Sequence, residues 1–230
     1  MKKTRCGLTG NALKIIAMLS MLIDHIGFYL FPHVMLLRAV GRISFPIFAY
    51  MIAEGCTHTR NRTRYFSVIF LVGLLCQATV TIATGIFYMN ILIVFSLALA
   101  AIFAAEVLLK QRAPLPCSVA ALTLVAVAVI TFVLPRILRG FILDYNEFGV
   151  LLPVLLYFTH GRWQKIIGTA LVLAVFSLLS PAIQWCSLAA VPLLALYNGE
   201  RGRAKIKYLF YVFYPTHQAI LWFVAEFCIS

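Results

Sequence analysis

Residues 11–31 read NALKIIAMLSMLIDHIGFYLF. The run is long enough to cross the roughly 30 Å hydrocarbon core of a bilayer as one helix. Only Lys14, Asp24 and His25 in it are ionisable. Lys14 sits near one end, where its long side chain reaches back to the interface. Asp24 and His25 do not: from Leu13 to His25 a helix climbs about 18 Å, which carries the imidazole past the midplane. An ionisable group at that depth costs at least about 2.5 kcal/mol on insertion scales, so it calls for a partner, an aqueous cavity or a function. One long apolar span with a carboxylate and an imidazole inside it frames the rest of the chain.

The same apolar character recurs throughout. Of 230 residues, 63% are hydrophobic and only 11% charged, against about half and a quarter in soluble domains. Further apolar segments run over 43–56, 66–87, 91–109, 117–134, 148–159, 166–183, 185–197 and 208–229. The expected architecture is therefore all-α, a polytopic transmembrane helical bundle of about nine spans. The break at Ser180-Pro181 and Gln184 is the weakest divider, so the range is about eight to ten. There is no long loop or low-complexity stretch, and residues 1–230 are expected to form a single integral-membrane domain. Asp24 and His25 interrupt the first segment and no small-residue cleavage site follows, so it is expected to stay as a span rather than serve as a cleaved signal.

The net charge of +12 reads as topology rather than as nucleic-acid binding. With a cytoplasmic N-terminus, the inner loops carry Lys2, Lys3 and Arg5; Arg60, Arg62 and Arg64; Lys110 and Arg112; Arg162 and Lys165; and Arg201, Arg203, Lys205 and Lys207, which is most of the 19 basic residues. Arg38, Arg42, Arg136 and Arg139 fall outside. That bias fits the positive-inside rule, and the expected location is the plasma (inner) membrane with the N-terminus in the cytoplasm. The basic clusters also suit a polyphosphate ligand arriving from the cytosol, because arginine grips phosphate bidentately. The six cysteines are scattered without a C-x-x-C, so neither a metal site nor a disulfide framework is expected.

Polar residues within spans are the candidate site. Asp24 and His25 could be a hydrogen-bonded plug or functional groups. Arg42 lies where it could pair with Asp24 of the preceding span, as a structural clamp or a catalytic element. Glu54 and His58, spaced i, i+4, share a helix face. Pro215 frees a carbonyl in FYVFYPTHQ (210–218), and His217 lies about 14 Å into its span, near the midplane. Gln77, Asn90, Asp144 and Glu147 complete the polar set, while Glu106 and Glu226 near span ends are expected to be solvated. Neighbouring helix positions point about 100° apart, so Asp24 cannot orient His25, and a partner from another span is needed, such as Asp144 or Tyr214.

Several blocks carry a resemblance. LTGNALKIIAMLSMLIDHIG (8–27), GRISFPIFAYMIAEGCTHTRNRTRY (41–65), MNILIVFSLALAAIF (89–103), DYNEFGVLLPVLLYF (144–158), YNGERG (197–202) and KYLFYVFYPTHQAIL (207–221) resemble, in order, the TraX family of conjugative-transfer proteins. The founding member N-acetylates a pilin subunit, and the family is similar to transmembrane acyltransferases. The resemblance implies a membrane-embedded acetyltransferase with acetyl-CoA as cosubstrate and no metal. It points to Asp24, His25, Arg42, Asn90, Asp144, Tyr214 and His217 as the reacting group. Glu54, His58, Arg60, Arg62, Arg64, Arg201, Arg203 and Lys205 would hold the coenzyme. In this scheme His25 is the general base, Asp24 or Arg42 fixes the local charge, and Tyr214, Asn90 or His217 donates to the oxyanion. The acceptor would be an amine or hydroxyl of a pilin or other surface peptide, a sugar or a lipid. A small-molecule transporter or exporter and a non-catalytic pilus or conjugation assembly factor are the competing readings.

Overall fold

A computed structural model describes residues 7–85, 88–110, 113–204 and 206–229. Its elements in chain order are α1 (Gly10–Tyr29), α2 (Met35–Gly41), α3 (Ser44–His58), α4 (Arg62–Thr84), β1 (Tyr88–Met89), α5 (Ile91–Lys110), α6 (Pro114–Ala128), α7 (Leu134–Ile137), β2 (Ile142–Leu143), α8 (Phe148–Phe158), α9 (Arg162–Leu178), α10 (Ala190–Ala195) and α11 (Lys207–Val224). A π-helical turn (Val129–Val133) joins α6 to α7, a 3₁₀ helix (Ala182–Ala189) leads into α10, and a second π turn (Ala225–Ile229) follows α11. Among the described residues, each apolar segment lies mainly in helix. Five helical stretches among the described residues are long and apolar enough to cross a membrane: Gly10–Tyr29, Met35–His58, Arg62–Ile82, Ile91–Lys110 and Pro114–Ile137. Phe148–Phe158 and Ala182–Ala195 are shorter apolar helices. The protein is a helical membrane protein.

Packing divides the chain into two compact units, one from the stretches up to Met51 and from Thr159 onward, the other from Ile52–Phe158. The boundary falls inside α3.

In the first unit, α1 starts where Thr9 Oγ1 accepts the Ala12 amide (3.2 Å), an N-cap that satisfies one of the orphan donors of a first turn. The other early amides are taken by a returning segment: Leu8 donates to Leu196, Gly10 to Glu200 and Asn11 to Arg201. Gly202, at φ +91, lets that segment run beside Thr9 and Asn11. Further along, α1 and α2 form a close hairpin. A Cβ at Gly41 would come within 2.2 Å of Asp24, and one at Gly27 within 2.7 Å of Leu37. Ser20 Oγ donates to the Val40 carbonyl at 2.5 Å. Residues 32–42 precede the apolar segment expected from 43. Within them, MLLRAVG is apolar and helix-compatible, and it forms α2.

In the second unit, Asn61 Oδ1 caps α4 by accepting the Arg64 amide (2.8 Å), and Gly85 ends α4 in the left-handed region. Asn90 starts α5. Its Oδ1 accepts the amides of Leu92 (3.0 Å) and Ile93 (3.4 Å), and its Nδ2 donates to the Gly73 carbonyl of α4 (2.8 Å) and to Gln77 Oε1 (3.4 Å). The short strands pair in parallel, Tyr88 with Ile142 and Met89 with Leu143. The Asp144 amide donates to the Met89 carbonyl (3.0 Å). Pro135 cannot donate to the Thr131 carbonyl four residues back, and the helix absorbs that loss in its π turn.

Two stability tests follow. Gly41→Ala forces a methyl into Asp24 and should destabilise the protein by about 1–3 kcal/mol, as overpacking does. Asn90→Ala removes the cap of α5 and its side-chain tie to α4, which should cost about 1–2 kcal/mol. Thermal unfolding in detergent reads both, and unchanged unfolding temperatures would contradict these contacts.

Candidate functional site

The first unit gathers two linked clusters at the α1–α2 hairpin and α11. Asp24 is buried and receives two guanidinium groups. Arg38 Nη1 donates to Oδ2 at 2.7 Å and to the Asp24 carbonyl at 3.3 Å. Arg42 Nη2 reaches Oδ1 at 2.9 Å and Oδ2 at 3.2 Å, while its Nε donates to the Arg38 carbonyl at 3.3 Å. Arg38 also lies over the Phe28 ring, 5.0 Å from its centroid. The expected Asp24–Arg42 pairing is present, and Arg38, expected among the outer cations, shares the carboxylate. A signal was available: Arg38 and Arg42 are i, i+4, so they leave one face of the chain together.

His25 finds its partner on α11. Its Nδ1 lies 2.7 Å from His217 Nε2, with the rings stacked at 4.9 Å and 29°. His217 Nδ1 lies 2.7 Å from the Phe213 carbonyl. A carbonyl only accepts, so His217 carries its proton on Nδ1, and in the neutral pair its Nε2 is a lone pair. Then His25 must donate from Nδ1, and its own Nε2 is left as an acceptor. This assignment rests on hydrogen-bond logic, which is how histidine tautomers are fixed. No hydrogen bond to His25 Nε2 is made among the described residues. Phe213 stacks flat on His217 (4.5 Å, 8°), and Tyr214 meets it edge-on (5.7 Å, 87°). The expected partners of His25 were Asp144 or Tyr214. The helix turn that links Phe213 to His217 puts His217 there instead, and Tyr214 supports His217. Chemically, the arrangement is a backed imidazole base beside a cluster with two cations and one anion.

The other predicted residues of this unit lie elsewhere in it. Arg201 and Arg203 are exposed on the segment that tethers the start of α1, and Lys205 lies outside the described residues. Lys165 is buried, its Nζ 5.7 Å from the Tyr50 ring centroid, and Tyr50 meets Tyr197 edge-on.

The second unit holds Glu54, His58, Arg60, Arg62, Arg64, Asn90 and Asp144. His58 Nδ1 donates to the Glu54 carbonyl (2.9 Å), closing the end of α3 rather than using the i, i+4 side-chain pairing the spacing suggested. Arg60 and Arg64 are exposed. Arg62 is paired with Glu106 and lies over Phe103 (5.3 Å). Glu106 also pairs with Lys110. The expectation of a solvated Glu106 is therefore corrected: it is 5% exposed, because α4 and α5 bring two cations onto it. Asn90 has both side-chain hydrogens directed at Gly73 and Gln77, so its capping bonds would have to break before it donated to an oxyanion.

Comparison with known proteins agrees with the sequence blocks. The family model described as TraX protein matches residues 9–225. The probable fimbrial assembly protein FimC, serogroup H1, of Dichelobacter nodosus is 25% identical over 244 residues, covering 91% of this chain and 92% of that one. An uncharacterised protein of Rickettsia prowazekii (strain Madrid E) is 35% identical over 72 residues, 31% of this chain and 27% of that one. No solved structure matches. With a family match running from the cap of α1 to the end of α11, the chain belongs to the TraX family.

Proposed function

We propose that this protein is a membrane-embedded acetyltransferase that moves an acetyl group from acetyl-CoA to an amine or hydroxyl presented at the membrane. The observation that carries the reading is the His25–His217 bond, which leaves His25 Nε2 as the open end of a two-imidazole relay. A base of this kind contributes about 10²–10⁴-fold to proton-transfer chemistry. The acceptor amine or hydroxyl attacks the thioester carbonyl carbon as Nε2 takes its proton. Collapse of the tetrahedral intermediate breaks the C–S bond, and His25 returns the proton to the departing CoA thiolate. Products are the acetylated acceptor and free CoA.

His217 is a positioning residue in this scheme. It fixes the His25 tautomer and shares the positive charge that His25 gains. Arg38 and Arg42 supply positive potential beside the reacting groups, and Tyr214 is the candidate hydroxyl donor to the oxyanion. Within the first unit, the exposed Arg201 and Arg203 suit the CoA phosphates. The topology that goes with this reading is about nine spans in the plasma membrane with a cytoplasmic N-terminus, as the basic loops require. The printed name of the Dichelobacter relative favours a second reading, an assembly role without catalysis. Both readings place the protein with pilus or conjugation machinery.

Acetyl transfer separates them. In nanodiscs with acetyl-CoA and a peptide bearing a free N-terminal amine, the wild type should release CoA and acetylate the peptide. His25→Ala should lower the rate by about 10²–10⁴-fold. His217→Ala should lower kcat less and shift the pH profile, whereas His217→Gln, whose carbonyl oxygen can accept from His25 Nδ1, should restore part of the loss. A wild type without CoA release, or a His25→Ala variant with full activity, would sink the enzyme reading.

A further inference from the structure

The Asp24 cluster holds two guanidinium groups and one carboxylate, and the two arginines do not use that carboxylate equally. Arg42 bridges both oxygens. Arg38 touches one, through Nη1 alone. The remaining donors of Arg38, on Nη2 and Nε, meet no acceptor among the described residues. Its side chain is also the more open of the two, 26% exposed against 15%. The Phe28 ring beneath the guanidinium holds it by cation–π attraction and limits its rotation. The close glycine contacts of the α1–α2 hairpin fix the platform. A surplus cation in a span is costly unless something neutralises it, and a guanidinium with an open donor edge is the fork that matches phosphate oxygens.

The neighbouring surface says how such an anion arrives. Phe28, Phe31, Val34, Met35 and Leu36, all around the α1–α2 connection, are exposed apolar side chains. An ion bound at Arg38 therefore has a hydrocarbon-compatible surface on one side and the Asp24–His25 step of α1 on the other.

We infer that Arg38 is the recognition point of an anion site for a phosphate headgroup, next to His25. Binding itself does not depend on acyl transfer. Placing the bound phosphate beside an acyl-transfer centre rests on the proposed acetyltransferase. The thermal test below uses no acetyl-CoA, so its failure is distinct from failure of the enzyme reading.

The test compares the full chain in micelles of a sugar-headgroup detergent, which carries no phosphate, in the same micelles with added inorganic phosphate, and in micelles with part of the detergent replaced by phosphatidylglycerol. The unfolding temperature of the wild type should rise with the anion. A rise with inorganic phosphate assigns the site to the free ion, and a rise with phosphatidylglycerol alone assigns it to the lipid headgroup. Arg38→Gln should weaken the apparent affinity about tenfold or more, as loss of a charge-assisted bond does, whereas Arg139→Gln, at an exposed position in the second unit, should not. Asp24→Asn removes the competing carboxylate and should strengthen the response, the reverse of what a purely structural ion pair would do. If Arg38→Gln fails to fold, Arg38→Lys replaces it: a weakened response supports the site, and an unchanged one overturns it. No response in the wild type, an undiminished response in Arg38→Gln, or a weakened one in Asp24→Asn would also overturn it.

Discussion

The carboxylate of Asp24, shared between Arg38 and Arg42, is the interaction on which the first unit depends. Taking ions out of water is expensive, and their attraction offsets the cost only when geometry and hydrogen bonding are good. Here the geometry is set by small residues. Gly41 has no side chain where Asp24 must lie, and Gly27 has none where Leu37 must lie, so α2 can approach α1 closely enough for both arginines to reach one residue. Removing one partner of a buried ion pair costs about 3–5 kcal/mol, since the other charge is left uncompensated. The glycines and the ions thus need each other: the close approach makes the pairs possible, and the pairs justify a helix break at Arg42.

That cluster also determines what His25 can be. Its carboxylate neighbour in sequence is occupied by arginines and does not orient the imidazole, as the angular separation of adjacent helix positions requires. Orientation comes from α11, through His217 and its own bond to the Phe213 carbonyl. A neutral imidazole takes the place that a carboxylate has in a Ser-His-Asp triad. It fixes the tautomer without bringing a second negative charge into the span. On the proposed acetyltransferase reading, the positive charge that His25 acquires is balanced by the reaction's own developing anion.

Much of this was legible in the sequence. The helical segments follow from apolar runs and their breaks, and Asp24, His25, Arg42 and His217 stand out because ionisable groups in an apolar run are costly. What periodicity could not give was pairing between distant segments. His25 and His217 are far apart in sequence, and no spacing rule links them. Arg38 was hidden for a different reason: α2 is a short helix before the span proper, so its arginine read as an ordinary loop cation. Glu106 was misplaced because its position near a helix end suggests water, while its burial depends on Arg62 arriving from α4.

The two units differ in how their polar side chains are used. In the second, Asn90 is committed to capping α5 and holding Gly73, Arg62 and Lys110 are committed to Glu106, and His58 closes α3. Those bonds secure local structure. In the first unit, His25 keeps a lone pair and Arg38 keeps part of its donor fork after their protein bonds are counted. Both lie on the α1–α2 hairpin, His25 within a block that carries the family resemblance and Arg38 between two such blocks. Polar groups that remain under-used at depth in an apolar protein carry a standing energetic cost. On the proposed acetyltransferase reading, a ligand that offsets this cost is the physical reason to place the chemistry at His25.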